Sequence, residues 1–310
     1  MKLVFRKSSH HLQSLADKND CLASSLKVFG RPLIVRNVSA TIKVLNIDKI
    51  MIPEDFPDAL RLVQDEFPRI SVEQFHDDGD SNQTSTFPTK IEKITITKNN
   101  NFEIPINTLL RYSPNTTTFS TESISYPWDL LNTIKNVLHD EVTHRVISPK
   151  ATISKSSIID GPCIIEDNVT IDDFCKIKGP IYLGKDSFIG MGSLVRYCMI
   201  SNETRIGFNC EISKCYFGDN VQTSHHNVIL DSVIGKNVWF GGYSGTANVL
   251  LTRKNIKYMI NDELIDTGTD HFGAMVGDNC AIGASVIVLP GRQVPADTTI
   301  QAGTIFGKNN

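Results

Sequence analysis

ISKSSIIDGPCIIEDNVTIDDFCKIKGPIYLGKDSFIGMGSLV, residues 153–195, decides the fold of the second half of this chain. Counted in steps of six, it places Ile153, Ile159, Ile165, Ile171, Ile177, Leu183, Ile189 and Val195 in succession, every one a branched aliphatic. A helix returns its apolar residues about every 3.6 positions and an ordinary strand every second one, so neither accounts for the pattern. A period of six, with a smaller site two residues earlier, fits a short strand closed by a tight turn. Three such faces make one triangular coil, and coils stack edge to edge at about 4.8 Å. The phase restarts at Ile200, Ile206 and Ile212, at Val228, Ile234 and Phe240, and, after an interruption, at Val276, Ile282, Val288, Val294, Ile300 and Phe306. Each of these is expected to point inward.

Glycine placement supports the same division. Of 20 glycines, only Gly30 and Gly79 precede residue 150. The rest cluster with Asn and Asp at the expected corners (Asp167-Asn168, Gly184-Lys185-Asp186, Gly218-Asp219-Asn220, Gly277-Asp278-Asn279), where a left-handed backbone is needed. Cys163, Cys175, Cys198, Cys210 and Cys280 fall two residues before an inward aliphatic, where a thiol behaves as a compact hydrophobe. Stacked neighbours should be about 18 residues apart at this coil size, and no two of these five are, so a disulfide ladder is not expected. Cys21 and Cys215 are left unassigned, and no CxxC offers a zinc site.

Composition bounds the rest. The chain has 310 residues, 40% hydrophobic and 21% charged, with a formal net charge of −3. That balance argues against a general nucleic-acid binder. No apolar run reaches the ~18 residues of a membrane span, and the N-terminal stretch lacks a secretory pattern. A cytoplasmic protein is the expectation, and seven thiols without a framework suit a reducing compartment.

The repeat resembles the hexapeptide-repeat acyltransferases. It is closer still to the C-terminal half of bifunctional sugar-1-phosphate nucleotidylyltransferase/acetyltransferases, of the glucosamine-1-phosphate acetyltransferase kind found in archaea. The resemblance implies a left-handed parallel β-helix over 148–310, working as a homotrimer, with a loop insertion at about 246–275. A family segment I-G-x-x-x-E-x-K-K-x-x-x-G-x-x-x-x-x-x-H is matched without a gap by Ile206-Gly207, Glu211, Lys214, Gly218 and His225, followed by Asp231-Ser232-Val233-Ile234-Gly235. It implies that His225 is the general base, a role suited to an imidazole that titrates near neutrality. It further implies that Arg196, Glu211, Lys214 and Asn248 hold the acceptor, and that Ala284 and Ala302 contact acetyl-CoA or another acyl-CoA. No metal is required. Phe240-Gly241, Ala247-Asn248 and Phe272-Gly273-Ala274 echo later family elements. The chain departs from the family at Ser213 for a Lys, Ser224 for a Gly, Val228 for a Tyr and Trp239 for an Asn, and Arg196 aligns only if one residue is deleted. Read without the resemblance, His225-His226 is a surface turn or a weak metal site shared with a symmetry mate. His271 is a candidate for the same cleft, and Trp239-Phe240-Gly241-Gly242-Tyr243 either lines a pocket or packs under the loop.

The first half reads as a small α/β domain over 1–125, joined by a linking helix over 126–147. A helix over 32–45, a strand over 47–52, a helix over 57–67 and a strand over 70–75 alternate as in a βαβ unit. Residues 91–97 alternate as a further strand. Pro127 opens a helix running to about 140, with Leu131, Ile134, Val137 and Leu138 on one face. Gly30-Arg31-Pro32-Leu33-Ile34 and Asn46-Ile47-Asp48-Lys49-Ile50 resemble the G-K-P-L-I…G-I-x-E-I segment of sugar nucleotidylyltransferases. No glycine precedes Gly30, so the G-x-G-x-R loop with which that family cradles nucleoside triphosphate is missing. The domain is therefore expected to be a shortened, degenerate relative. His76-Asp77-Asp78-Gly79-Asp80 reads as a solvated turn rather than a metal loop.

Three functions follow as expectations. The first is acyl-CoA-dependent transfer, of acetyl by preference, to an amino or hydroxyl group of a sugar phosphate or nucleotide sugar. The second is a catalytically inactive regulatory or binding subunit, for example of a partner nucleotidylyltransferase. The third, nucleotidyl transfer, lacks its phosphate loop.

Overall fold

A computed structural model describes residues 1–6, 26–77, 92–94, 101–113, 118–260 and 262–307. The chain divides into two compact units, Met1–Asp129 and Leu130–Asn310. Cys21 and Asp78–Asp80 lie outside the described residues, as do 91 and 95–97 of the expected strand and most of the segment searched for a phosphate loop.

The first unit is α/β. Strand Lys2–Arg6 is central in a parallel four-stranded sheet, flanked by Asn101–Pro105 on one side and by Lys49–Pro53 and then Ser71–Phe75 on the other. Helix Pro57–Glu66 connects the last two, with Pro57 in its first turn where a missing N–H costs nothing. Leu3, Phe5, Ile50, Ile52 and Ile104 from the sheet and Ile34, Val38, Ala59 and Val63 from the helices form one core. The helix expected over 32–45 starts at Leu33 and ends at Ile42. Pro32 belongs instead to a two-stranded hairpin whose turn residues, Phe29 and Gly30, have φ of 51° and 71°. Positive φ at both is the type I′ geometry that matches strand twist. Buried Asn37 donates from Nδ2 to the Thr108 carbonyl (2.6 Å) and accepts from Leu110 N–H (3.0 Å), which fastens this helix to strand Thr108–Ser113.

The second unit is a parallel β-helix of three eight-stranded sheets, its faces following one another in chain order. On the first face Ile165, Leu183, Ile200, Phe217, Ile234, Val276 and Val294 stack inward, and on the second Ile171, Ile189, Ile206, Phe240, Ile282 and Ile300. The third stacks Ile177, Val195, Ile212, Ile229, Thr246 and Val288. The expected inward position of Val228 is therefore corrected: Val228 is 45% exposed and Ile229 is fully buried. The corner from third face to first is one residue shorter in three successive coils, running Val195 to Ile200, Ile212 to Phe217 and Ile229 to Ile234. Each of those coils loses one residue with it, as the registers Ile177↔Val195 and Val195↔Ile212 show.

The shorter coil also places Cys215. It occupies the small inward site before Phe217, directly beyond Cys198, and its backbone N–H reaches Cys198 Sγ at 3.4 Å. Stacked cysteines therefore do occur, separated by one shortened coil. Both are free, and burial pushes the Cys215 thiol well up from its usual range. At the corner between first and second faces, residues with φ near 55–60° carry a ladder: Asn220 donates to Asn237 (3.0 Å), Asn237 to Asn279 (2.9 Å) and Asn279 to Asp297 (3.0 Å).

The repeat is interrupted after Thr246. The excursion contains an antiparallel hairpin, Lys257–Ile260 with Glu263–Asp266, and is closed at its base by Phe272 N–H to Asn248 O and Gly273 N–H to Asp231 O. Tyr258, packed edge-on against Phe272, donates to Gln293 Oε1 at 3.0 Å. The first face continues straight across the gap, Val233 pairing with Met275. Among the described residues no helix is long and apolar enough to cross a membrane, and no three His, Cys, Asp or Glu side chains are grouped to hold a metal ion. His76 makes an ion pair with Glu54.

Candidate active site

The corner between the second and third faces carries the candidate base. One residue per coil occupies its outer edge: Asp173, Met191, Phe208, His225, Gly242, Ala284 and Ala302. Successive members are tied by backbone bonds between coils such as His226 N–H to Phe208 O (2.9 Å), Tyr243 N–H to His225 O (2.8 Å) and Gly303 N–H to Ala284 O (2.8 Å). His225, Ala284 and Ala302 thus share one edge. Beyond His225 that edge is stripped to glycine and alanine, and a Cβ on Gly242 would meet only the His225 carbonyl, at 3.6 Å.

The two histidines differ in environment. His226 stacks on Tyr243 (4.8 Å between ring centroids), meets Phe208 edge-on (5.3 Å) and accepts from Asn209 Nδ2 at 3.1 Å. The exposed His225 ring has, among the described residues, only the Phe208 ring edge-on beside it, at 6.4 Å, so its nitrogens are open to a ligand. Asn227 fixes this corner from inside. Fully buried, it donates from Nδ2 to Gly241 O (2.8 Å), Ser244 O (2.9 Å) and Ser244 Oγ (3.0 Å). Gly207 is required by proximity, since a Cβ there would lie 1.5 Å from the Ser224 carbonyl oxygen.

His225 borders an open pocket of about 420 Å³ on the second face. Gly190, Gly207 and Ser224 line its corner side, and Phe188, Arg205, Gln222 and Trp239, one per coil, line its outer side. The Arg205 guanidinium lies over the Phe188 ring, 4.7 Å from its centroid. Of the two readings of Trp239, the structure shows the pocket: the indole is 45% exposed and lines it.

The other sequence candidates sit elsewhere. Arg196 and Glu211 form an ion pair on the third face, and Arg196 Nε is buried without a hydrogen-bond partner. Lys214 is exposed at the far corner of that face, its N–H bonded to Arg196 O. Asn248 donates to Asp231 Oδ2 at 2.6 Å. None of these four lines the pocket, nor does His271, which is bonded to Asp270. Arg205, Gln222 and Asn227 were missed. The first two lie at whole-coil steps from Trp239, a column that becomes visible once the shortened coil is counted.

The repeat architecture is that of a left-handed parallel β-helix of hexapeptide repeats. Residues 142–240 match the family described as the GMPPB C-terminal domain. The chain is similar to the "Bifunctional sugar-1-phosphate nucleotidylyltransferase/acetyltransferase" of Sulfurisphaera tokodaii, 26% identical over 187 residues, 60% of this chain and 46% of that protein. It is also similar to the "Uncharacterized acetyltransferase YaiX" of Escherichia coli O6:K15:H31, 27% identical over 60% of this chain and 85% of that protein. A solved perosamine N-acetyltransferase from Caulobacter crescentus, in complex with CoA and GDP-perosamine, overlaps 59% of this chain and 64% of its own at 12% identity and a TM-score of 0.26. The chain spans about half the length of the bifunctional relatives it matches.

Proposed function

We propose that this chain transfers an acyl group, acetyl by preference, from coenzyme A to an amino or hydroxyl group of a sugar phosphate or nucleotide sugar. One observation carries the reading: His225 stands with its ring nitrogens open at the edge of a pocket, and the same edge continues as a track of small residues, Gly242, Ala284 and Ala302. Such a track lets an extended thioester lie against the coils and brings its carbonyl to the imidazole. His225 takes the proton of the acceptor as it attacks that carbonyl, and returns it to the departing thiolate as the tetrahedral intermediate collapses. Much of the rate would come from holding the two substrates together. A homotrimer would enclose the cleft with a neighbouring copy.

The test is thiol release from acetyl-CoA with a panel of amino-sugar phosphates and nucleotide sugars. His225→Ala should lower turnover by about 10²–10⁴ without changing the melting temperature. Equal turnover in the variant removes His225 from the chemistry, and no turnover by the parent protein with any acceptor removes the reading. A non-catalytic binding subunit is the second reading, favoured by the apolar Val228 exposed one residue beyond Asn227 and by the mutual neutralisation of Arg196 and Glu211. Thermal stabilisation by a co-expressed nucleotidylyltransferase, with none by coenzyme A, would establish it.

A further inference from the structure

The pocket beside His225 carries groups that proton transfer does not use. Arg205 Cζ lies over the Phe188 ring, and among the described residues no carboxylate or carbonyl accepts from its guanidinium. The ring contact uses none of the N–H donors and leaves them for an anion. One coil on, the Gln222 amide also has no partner among the described residues, and it offers a donor and an acceptor side by side. One further coil on, Trp239 presents an exposed indole. At the opposite end stands the Asp172 carboxylate, which repels an anion and accepts from hydroxyls. A volume of about 420 Å³ is within the range of pockets that enclose small organic ligands.

We propose that this pocket seats a nucleoside phosphate, so that the acceptor is a nucleotide-activated sugar and not a simple sugar phosphate. The base stacks on Trp239 with its edge on Gln222, and the phosphates lie on Arg205. The sugar then rests over Gly190 and Gly207, one to two coils from His225, its hydroxyls toward Asp172. A ring face, a hydrogen-bonding edge and an anion at successive coil spacings are the parts of a nucleotide, and a hexose phosphate has no use for the indole. Only the role of this ligand as acceptor rests on the acyl-transfer reading; its binding is measured without turnover.

Isothermal titration of the full chain decides the matter, with UDP- and GDP-linked hexoses, free UDP and GDP, glucosamine 1-phosphate and coenzyme A as probes. At least one nucleoside diphosphate and its sugar should bind about tenfold or more tighter than glucosamine 1-phosphate. Arg205→Ala and Trp239→Leu should each weaken that binding by about tenfold, with Arg205→Lys recovering part of it. Glucosamine 1-phosphate binding as tightly as the nucleotides, or unchanged affinity in both variants, overturns the proposal. So does coenzyme A competing for the site with the same loss in both variants, because the nucleotide recognised would then be the donor's. Loss of oligomeric state in either variant would assign the face to subunit contact, with the same consequence. Nucleotide binding that obeys these expectations in a protein showing no acyl transfer supports the pocket and removes only the acyltransferase reading.

Discussion

Replacing Asn227 by valine tests whether the His225 corner is held from inside. The amide donates to two carbonyls and a hydroxyl of the following coil, at 2.8–3.0 Å, from a fully buried position. Each satisfied hydrogen bond contributes about 1 kcal/mol net, and a buried acceptor left short of a donor costs about 1–3 kcal/mol. Gly241 O keeps the Ser244 hydroxyl as a donor, so the penalty falls chiefly on Ser244 O. Valine fits sterically, since Val286 fills the equivalent site on a later coil, and its added apolar burial returns part of the loss. The expected net cost is about 2 kcal/mol, or a fall of roughly 4–8 °C in melting temperature for a unit of this size. Hydrogen exchange should speed up at the Tyr243 amide, which bonds to the His225 carbonyl. A valine variant as stable as the parent, with Tyr243 equally protected, would show that the amide does not hold the corner.

Gly207→Ala should lower stability by about 3 kcal/mol or more and abolish any His225-dependent activity, because the new methyl collides with the Ser224 carbonyl; a normal melting curve would contradict this. Asn237→Ala breaks two rungs of the corner ladder and places alanine at φ 56°, for a loss of about 2 kcal/mol. Asn237→Gly relieves the backbone part alone, so equal losses in the two would show that the ladder carries the whole effect. Asp129 accepts from the Ser125 and Tyr126 amides, yet burial outweighs those bonds and pushes its carboxyl up to about 6. A raised carboxyl favours the folded state when protonated, so its contribution is full below about pH 4 and is lost as pH rises through about 6. Asp129→Asn should therefore flatten stability between those limits and raise it at pH 7, by on the order of 2–3 kcal/mol in chemical denaturation. An unchanged pH profile would refute the assignment.

Most of the β-helix was legible because an inward branched aliphatic every sixth residue is a local signal, and local backbone rules enforce it. What misled was the length of one corner. Six residues counted back from Ile234 give Val228, but the corner before Ile234 is one residue shorter and starts from Ile229; both residues are β-branched, so composition could not choose between them. That choice also decided whether Asn227 read as a surface residue or as the buried residue it is. His225 was singled out as a candidate through a spacing that survives the slip. The pocket was not, because its outer wall comes from outward-facing residues of four coils, and nothing in a linear reading separates Arg205 or Gln222 from ordinary surface. In the first unit the βαβ alternation was readable from periodicity, whereas the hairpin at Phe29-Gly30 required two positive φ angles that a short sequence does not announce.

The excursion between Thr246 and Ala274 has a consequence for how the coils assemble. Elsewhere in the β-helix a strand finds its partner a single coil away, so contact order is low and closure is local. Across the excursion Val233 must find Met275, more than twice as far along the chain. The longer loop adds only about 0.8 kcal/mol of closure entropy, but it divides the ladder into two runs joined at one seam. His225 belongs to the run before that seam, and Ala284 and Ala302 to the run after it. His225 and the alanines farther along its edge are brought into line by the least local closure in the β-helix.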